Sequence, residues 1–249
     1  MHRVDGGDFL FITFRKWTAI YIVCLTMLMF VFTVVMSLGD AVPASSNATV
    51  NESLPTLIID PGHGGEDGGA VGIDGTVESI INLEISQKAA EVAALIGWPV
   101  CMTRNADISI YDSGSNTLRQ KKVSDMKNRV SFCDNIKNGF LISIHQNSLP
   151  EAKNVRGAQV FYRNEQVCLE LANEVQSQLN HYFNAGREKQ AKNIGSNSYL
   201  MKHVSCPAIL VECGFLSNPT EAALFETDEY KQKVAFVIFC SLTEFLHEQ

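Results

Sequence analysis

Residues 57–65 read Leu-Ile-Ile-Asp-Pro-Gly-His-Gly-Gly, a short apolar run that ends in a polar, glycine-rich turn. The apolar part predicts a buried strand, and Asp60-Pro61-Gly62 predicts that the strand ends there. In open α/β sheets, sites form just beyond the carboxyl ends of the strands. His63, which lies in this turn, is therefore the first candidate for a functional side chain.

Strand-like and helix-like segments alternate downstream of this stretch, which is typical of an α/β domain. Helical spacing of apolar residues predicts helices at residues 80–96, 122–137, 165–182 and 229–247. Short apolar runs predict strands at residues 99–103, 140–144, 157–162, 198–201 and 208–211. Asn218 and Pro219 predict the start of a further helix, and Glu221 is placed to complete a capping box.

A long loop is predicted at residues 105–121, which are polar and irregular. Long loops in compact domains are often functional. We therefore expect this loop to face the substrate or a partner protein.

Two more predicted strands also end in polar residues. His145 follows the strand at 140–144, and Glu212 follows the strand at 208–211. Strand ends from distant parts of the chain meet at one edge of a sheet, so His63, His145 and Glu212 are expected to converge. Glu78, at the start of the first helix, adds a second carboxylate. Glu212 stands in an apolar stretch, where a carboxylate needs a partner.

Two histidines and a carboxylate, with water in the fourth position, form a catalytic zinc site. Zinc lowers the pKa of that water and polarises a carbonyl oxygen, and a second carboxylate then carries the proton to the leaving amine. The spacing leaves open which of Glu78 and Glu212 is the ligand and which is the base. Each residue, taken alone, also fits a structural role, such as that of a glutamate at a helix start.

The N-terminal part of the chain contains 22 uncharged residues in succession, from Trp17 to Leu38. This length suits a helix that spans a bilayer. Arg15 and Lys16 precede the run, and the positive-inside rule then places residues 1–16 in the cytoplasm.

We therefore expect a transmembrane anchor at 17–38, a linker at 39–55 and an exported domain at 56–249, held on the outer face of a bacterial membrane. A cleaved signal peptide is the rival interpretation, because Val42-Pro43-Ala44 offers small residues for a peptidase. Cleavage would leave a secreted protein. A third interpretation is that residues 17–38 form a buried helix of the soluble domain.

Composition narrows the classes of function. The formal net charge is −7 and the isoelectric point is about 5.4, which argues against nucleic-acid binding through a basic surface. Six of the seven cysteines lie outside the apolar segment without a CxxC pair, and we expect buried thiols. Strand side chains alternate, so Cys213 is expected to point away from Glu212, into packing.

Five blocks of sequence, taken in order, resemble a known family. They are residues 60–65 (DPGHGG), Val77-Glu78 with Asn82-Leu83, Thr103-Arg104 with Asp107, residues 143–147 (SIHQN) and residues 207–218 (PAILVECGFLSN). Together they are similar to the zinc-dependent N-acetylmuramoyl-L-alanine amidases of the Amidase 3 type, over about residues 56–247. The resemblance implies a single α/β domain with a twisted mixed sheet of about six strands flanked by helices.

The same resemblance assigns the roles that spacing leaves open. It implies that His63, Glu78 and His145 are ligands of Zn²⁺ and that Glu212 is the catalytic glutamate. The implied reaction is hydrolysis of the amide between N-acetylmuramic acid and L-alanine in peptidoglycan. The chain departs from the usual family pattern at three positions, none of them a predicted ligand: Ser79, Gln146 and Cys213.

A single catalytic domain behind an N-terminal anchor is similar to the CwlD-type spore-cortex amidases. That subgroup implies a role in cortex maturation through muramic-lactam formation, which germination needs, and a lipoprotein-like activator. Two alternatives remain open. One is a zinc peptidase that cuts within the stem peptide, which product masses would distinguish. The other is a non-catalytic wall-binding scaffold, which zinc stoichiometry would distinguish.

Overall fold

The computed structural model describes residues 25–27, 29, 54–196 and 198–247. The chain divides into two units, Met1–Thr49 and Val50–Gln249. Residues 25–27 and 29 are helical. The rest of the predicted anchor at 17–38, the segment 1–16 and all but the last two residues of the linker at 39–55 lie outside the described residues. Within the described part of the chain, no helix is both long enough and apolar enough to cross a membrane.

A six-stranded mixed sheet forms the centre of the second unit, which confirms the predicted fold class. The strands are β1 (Thr56–Pro61), β2 (Val100–Met102), β3 (Gly139–Asn147), β4 (Gln159–Tyr162), β5 (Lys192–Asn193) and β6 (Ala208–Phe215). Their order across the sheet is β2-β1-β3-β6-β4-β5. Strands β2, β1, β3 and β6 are parallel, whereas β4 is antiparallel to β6 and parallel to β5.

Helices cover both faces of this sheet. In the described part of the second unit they are α1 (Glu78–Leu95), α2 (Leu118–Asp134), α3 (Gln166–Phe183), α4 (Tyr199–His203), α5 (Pro219–Glu226) and α6 (Asp228–His247). Leu57 and Ile59 belong to the apolar cluster with α1, α3, α5 and α6, whereas Ile58 belongs to the cluster with α2 and α4. Since strand side chains alternate, Asp60 lies on the α2 and α4 face.

The prediction of a strand at residues 198–201 is wrong. This segment begins α4, and the Ser198 hydroxyl accepts a hydrogen bond from the amide of Met201 at 3.4 Å. A serine N-cap favours a helix start over a strand. Strand β5, which pairs with β4 at this edge of the sheet, was not predicted because its two residues are polar.

Helix α2 begins four residues before its predicted start at residue 122. The hydroxyl of Thr117 accepts from the amide of Gln120 at 3.2 Å, and the Gln120 side chain accepts from the amide of Thr117 at 3.1 Å. This capping box fixes the first turn without an apolar stripe. The irregular segment predicted at 105–121 therefore ends at residue 117.

Helix α5 has the predicted N-cap, but its glutamate serves a different purpose. The Asn218 side chain accepts from the amides of Thr220 and Glu221 at 3.0 and 3.2 Å. The Glu221 carboxylate accepts from the amides of Gly157 and Phe215 at 2.8 and 2.7 Å. It therefore ties the segment before β4 to the end of β6 and does not complete a capping box.

A buried ion pair holds the carboxyl end of β1. Arg129 of α2 donates to Asp60 Oδ1 at 2.6 Å and to Asp125 Oδ2 at 2.8 Å. The hydroxyls of Thr103 and Ser143 also donate to Asp60, at 2.6 and 2.7 Å. Burial alone would raise the pKa of Asp60, but the charge of Arg129 and the hydroxyl hydrogen bonds outweigh it and lower that pKa. Asp60 is therefore an anion inside the protein.

Two guanidinium groups fix the turn that follows β1. Arg129 donates to the carbonyl oxygens of Pro61 and His63 at 2.9 and 2.6 Å. Arg104 donates to the carbonyl oxygens of Pro61 and Gly62, both at 2.9 Å. His63 has φ = +61°, a left-handed conformation that is costly for a residue with a side chain. The two arginines thus hold the backbone that carries His63.

Replacement of Arg129 by methionine should leave two buried carboxylates, Asp60 and Asp125, without their cation. We expect the free energy of unfolding to fall by about 3–5 kcal/mol, the usual loss when one partner of a buried ion pair is removed. Denaturant titration measures this change. Arg119→Met, at an exposed position of the same helix, should change stability by at most about 0.5 kcal/mol. Equal losses in the two variants would contradict the role given to Arg129.

Candidate active site

The four predicted site residues lie at the carboxyl edge of the parallel strands. His63 follows β1, Glu78 is the first residue of α1, His145 lies in β3 and Glu212 lies in β6. His145 and Glu212 are paired in register on neighbouring strands. The structure therefore brings together residues that are up to 149 positions apart in the sequence (from 63 to 212).

The nitrogen and oxygen atoms of three of these side chains face one another. Glu78 Oε1 lies 3.1 Å from His145 Nδ1 and 3.4 Å from His63 Nε2. One potential ligand atom from each of the three residues lies within 4.8 Å of the other two. Two imidazoles and one carboxylate are the donors of a catalytic zinc site. The residues present therefore fit a zinc ion.

Glu78 is held by several donors besides the histidines. Its Oε2 accepts from the amide of Ala70 at 2.8 Å, and its Oε1 accepts from Asn82 Nδ2 at 3.2 Å and from the amide of Gln146 at 3.1 Å. Burial alone would raise the pKa of Glu78. The hydrogen bond and charge of His145 are the main effects that oppose burial, and the pKa falls to about 2. Glu78 is thus a fixed carboxylate anion.

Two glycines leave the space that this arrangement needs. A Cβ atom on Gly62 would lie 2.2 Å from the ring of His145, and one on Gly69 would lie 2.4 Å from Glu78 Oε2. Gly69 also has φ = +72°. The lack of a side chain at both positions lets the backbone approach these groups closely.

Glu212 lies beside these three potential ligands, and its hydrogen bonding differs from that of Glu78. Its Oε2 is buried and has no hydrogen-bond partner among the described residues. Burial, together with the charge of Glu78, raises the pKa of Glu212 to about 7, although His145, His63 and Lys189 act in the opposite direction. A carboxyl group whose pKa is near neutrality is suited to accept and return a proton.

Cys213 lies on the other side of the sheet from Glu212, as predicted. It is buried in the cluster that contains Ile209 and Val211, and burial raises the pKa of its thiol. The six described cysteines are free thiols.

A cavity of about 520 Å³ opens beside the site, between α2 and the segment that contains β5 and α4. This volume is within the range of ligand sites. Besides His63, His145 and Glu212, its lining combines polar and apolar side chains, among them Lys122, Met126, Phe161, Asn193, Ile194 and Tyr199.

The loop predicted at 105–121 contributes no residue to the described lining of this cavity. It packs instead against the turn of His63, where Asp107 accepts from the amide of Gly65 at 3.0 Å and Ser109 bonds the carbonyl oxygen of Gly64. Contact with substrate or partner stays a prediction for this loop.

Arg129 and Asp67 were not predicted as functional residues from the sequence, whereas Asp60 was used only to mark the end of a strand and, like Arg104, as part of a family motif. Arg129 pairs with Asp125 four positions earlier on α2, and this spacing is a readable signal for a helix ion pair. Its second partner, Asp60, lies 69 positions away, and nothing in the local sequence indicates it.

In a comparison with known protein families, residues 57–244 match the family described as N-acetylmuramoyl-L-alanine amidase. The germination-specific N-acetylmuramoyl-L-alanine amidase of Bacillus subtilis is 34% identical over 198 residues, which cover 78% of this chain and 80% of that protein.

Solved structures agree with this match. The CwlD amidase from Clostridioides difficile, in complex with the GerS lipoprotein, is 35% identical with a TM-score of 0.75, covering 78% of this chain and 100% of that one. An N-acetylmuramoyl-L-alanine amidase from Clostridium difficile 630 is 28% identical with a TM-score of 0.67, covering 79% and 98%. The chain therefore belongs to the N-acetylmuramoyl-L-alanine amidase family, in which it is similar to CwlD, and it is a peptidoglycan amidase.

Proposed function

We propose that this amidase is zinc-dependent, with His63, Glu78 and His145 as the metal ligands and Glu212 as the catalytic glutamate. The observation that carries the proposal is the convergence of both imidazoles on Glu78 Oε1. It is supported by the buried Oε2 of Glu212 beside them, which has no hydrogen-bond partner in the part of the chain that the structure describes. The scissile bond is the amide between N-acetylmuramic acid and L-alanine.

Zinc, when bound to these residues, supplies a Lewis acid that polarises the scissile carbonyl and lowers the pKa of water. Glu212 accepts a proton from the attacking water at Oε2 and returns it to the amine of L-alanine as the amide bond breaks. The Ala70 amide and Asn82 hold Glu78 still during this exchange. The two glutamates thus have different roles. Glu78 is a fixed metal ligand, and Glu212 transfers the proton.

We also propose that residues 17–38 anchor the enzyme on the outer face of a bacterial membrane. The uninterrupted apolar run and the preceding Arg15 and Lys16 support this interpretation. The alternative is a secreted enzyme released by cleavage near Ala44. The N-terminal sequence of the protein recovered from membrane and medium distinguishes the two.

A role in the spore cortex, with a lipoprotein activator, is the finer proposal. One relative is named germination-specific, and the solved structure of another includes a lipoprotein. In this role the enzyme removes stem peptides from muramic acid and so prepares the cortex for muramic-lactam formation.

Replacement of Glu212 by glutamine should lower turnover by at least about 100-fold and leave zinc binding intact, because the amide cannot accept the proton. The full-length protein is incubated with zinc and purified peptidoglycan, and the fragments are weighed. Free stem peptides that begin with L-alanine are expected from the wild type. A wild-type rate in Glu212→Gln would contradict the role of Glu212.

The same experiment distinguishes the two alternative functions. Cuts inside the stem peptide would favour the peptidase. A chain that neither binds zinc nor cleaves peptidoglycan would favour the scaffold.

Replacement of His63 or His145 by alanine should abolish stoichiometric zinc binding, because each substitution removes one of three protein ligands. Metal content after dialysis measures this loss. A chelator should likewise stop cleavage by the wild type, and added zinc should restore it. His181→Ala, at an exposed position on α3, is the matched control and should keep a full equivalent of zinc. Equal zinc content in all variants would place the metal elsewhere.

The cortex role predicts complementation of a Bacillus subtilis strain that lacks its germination-specific amidase. Expression of this chain should restore muramic lactam in the cortex and germination of the spores, whereas the Glu212→Gln variant should restore neither. Muropeptide analysis of purified cortex measures the lactam. Spores that contain active enzyme and still lack muramic lactam would contradict the proposed role.

A further inference from the structure

Asp67, a carboxylate outside the proposed ligand set, contacts the ring of His63 on the side away from Glu78. Asp67 Oδ2 lies 3.2 Å from His63 Nδ1, and His63 Nε2 faces Glu78 Oε1. A neutral imidazole carries one N–H, so a carboxylate at Nδ1 keeps the proton there and leaves the lone pair of Nε2 for a cation.

A short turn of the backbone fixes Asp67 relative to His63. The amide of Gly64 donates to the carbonyl oxygen of Asp67 at 2.8 Å, and the amide of Asp67 donates to the carbonyl oxygen of Gly64 at 3.2 Å. Arg129 binds the carbonyl oxygen of His63 at the start of the same turn. The ring and the carboxylate that contacts it are therefore carried by one closed segment.

Two consecutive lysines of α2 bind two consecutive carboxylates of this turn. Lys122 Nζ lies 3.1 Å from Asp67 Oδ2, and Lys121 Nζ lies 2.5 Å from Glu66 Oε1. The two carboxylates are thus matched in their partner, their helix and their place in the turn. The difference that bears on zinc is that Asp67 also contacts the imidazole of His63, whereas the described side-chain contact of Glu66 is with lysine.

We propose that Asp67, steadied by Lys122, is a positioning residue that sets the orientation of His63 and thereby the affinity of the site for zinc. The inference rests on the proposed zinc site. Carboxylates that accept the second ring N–H of a metal-binding histidine contribute about 10–100-fold to metal affinity. Lys122 links this contact to α2, the helix that also carries Arg129.

The test is the zinc dissociation constant of the full-length protein, measured near neutral pH by competition with a chromophoric chelator. Asp67→Asn and Asp67→Ala should weaken zinc binding by about 10–100-fold. Glu66→Gln, the matched control, breaks a comparable exposed ion pair without touching His63, and should change the affinity by no more than about fivefold. Lys122→Met should weaken zinc binding more than Glu66→Gln does and less than the Asp67 variants do.

A second readout separates positioning from general destabilisation. The visible absorption spectrum of the cobalt-substituted protein reports the geometry of the ligands, and it should change in Asp67→Asn and stay unchanged in Glu66→Gln. Thermal unfolding of the metal-free proteins should give the same midpoint for wild type and Asp67→Asn. Zinc affinity in both Asp67 variants within about fivefold of the wild type would overturn the inference, as would an equal loss in Glu66→Gln.

The two proposals fail in different ways in this experiment. If His145→Ala binds zinc as tightly as the wild type, the proposed zinc site is wrong and the role of Asp67 fails with it. If His145→Ala loses zinc while the Asp67 variants keep it, the zinc site stands and the role of Asp67 alone is refuted.

Discussion

The contact of Arg129 with Asp60 and with the backbone after β1 is the interaction on which the site depends. A guanidinium group buried in a protein needs an anion and enough acceptors for its donors, and Arg129 finds them at the end of one strand and in the next turn. That requirement fixes α2 over the carboxyl end of β1. It also holds His63 in a backbone conformation that a residue with a side chain seldom adopts.

Strand alternation explains why Asp60, His145 and Glu212 lie on one side of the sheet. Asp60 of β1, His145 of β3 and Glu212 of β6 have the same parity as the residues that pack under α2 and α4. Neighbouring positions of opposite parity supply the larger apolar cluster on the other side. The protein can therefore place Asp60 and Glu212 on its strands without interrupting its main core.

The sequence was sufficient for the fold class and for the convergence of His63, His145 and Glu212, because apolar strands and their polar ends are local patterns. Other features depend on distant partners. Strand β5 is two polar residues that become a strand by pairing with β4. Glu221 lies where a capping box would place it, yet its acceptor oxygens are used by amides from elsewhere in the fold. Local patterns carry no record of such pairings, and tertiary contacts decide them.

The shortness of β5, and of β2 at the opposite edge of the sheet, affects the tendency of the protein to self-associate. The two outer strands of the sheet, β2 and β5, are three and two residues long, and β5 carries a lysine. A long edge strand with unpaired backbone groups is a template on which another chain can add a strand. Short or charged edge strands disfavour such additions. Each edge of the sheet therefore offers few unpaired backbone groups to another molecule. This protects the folded enzyme against self-association by edge-to-edge strand pairing.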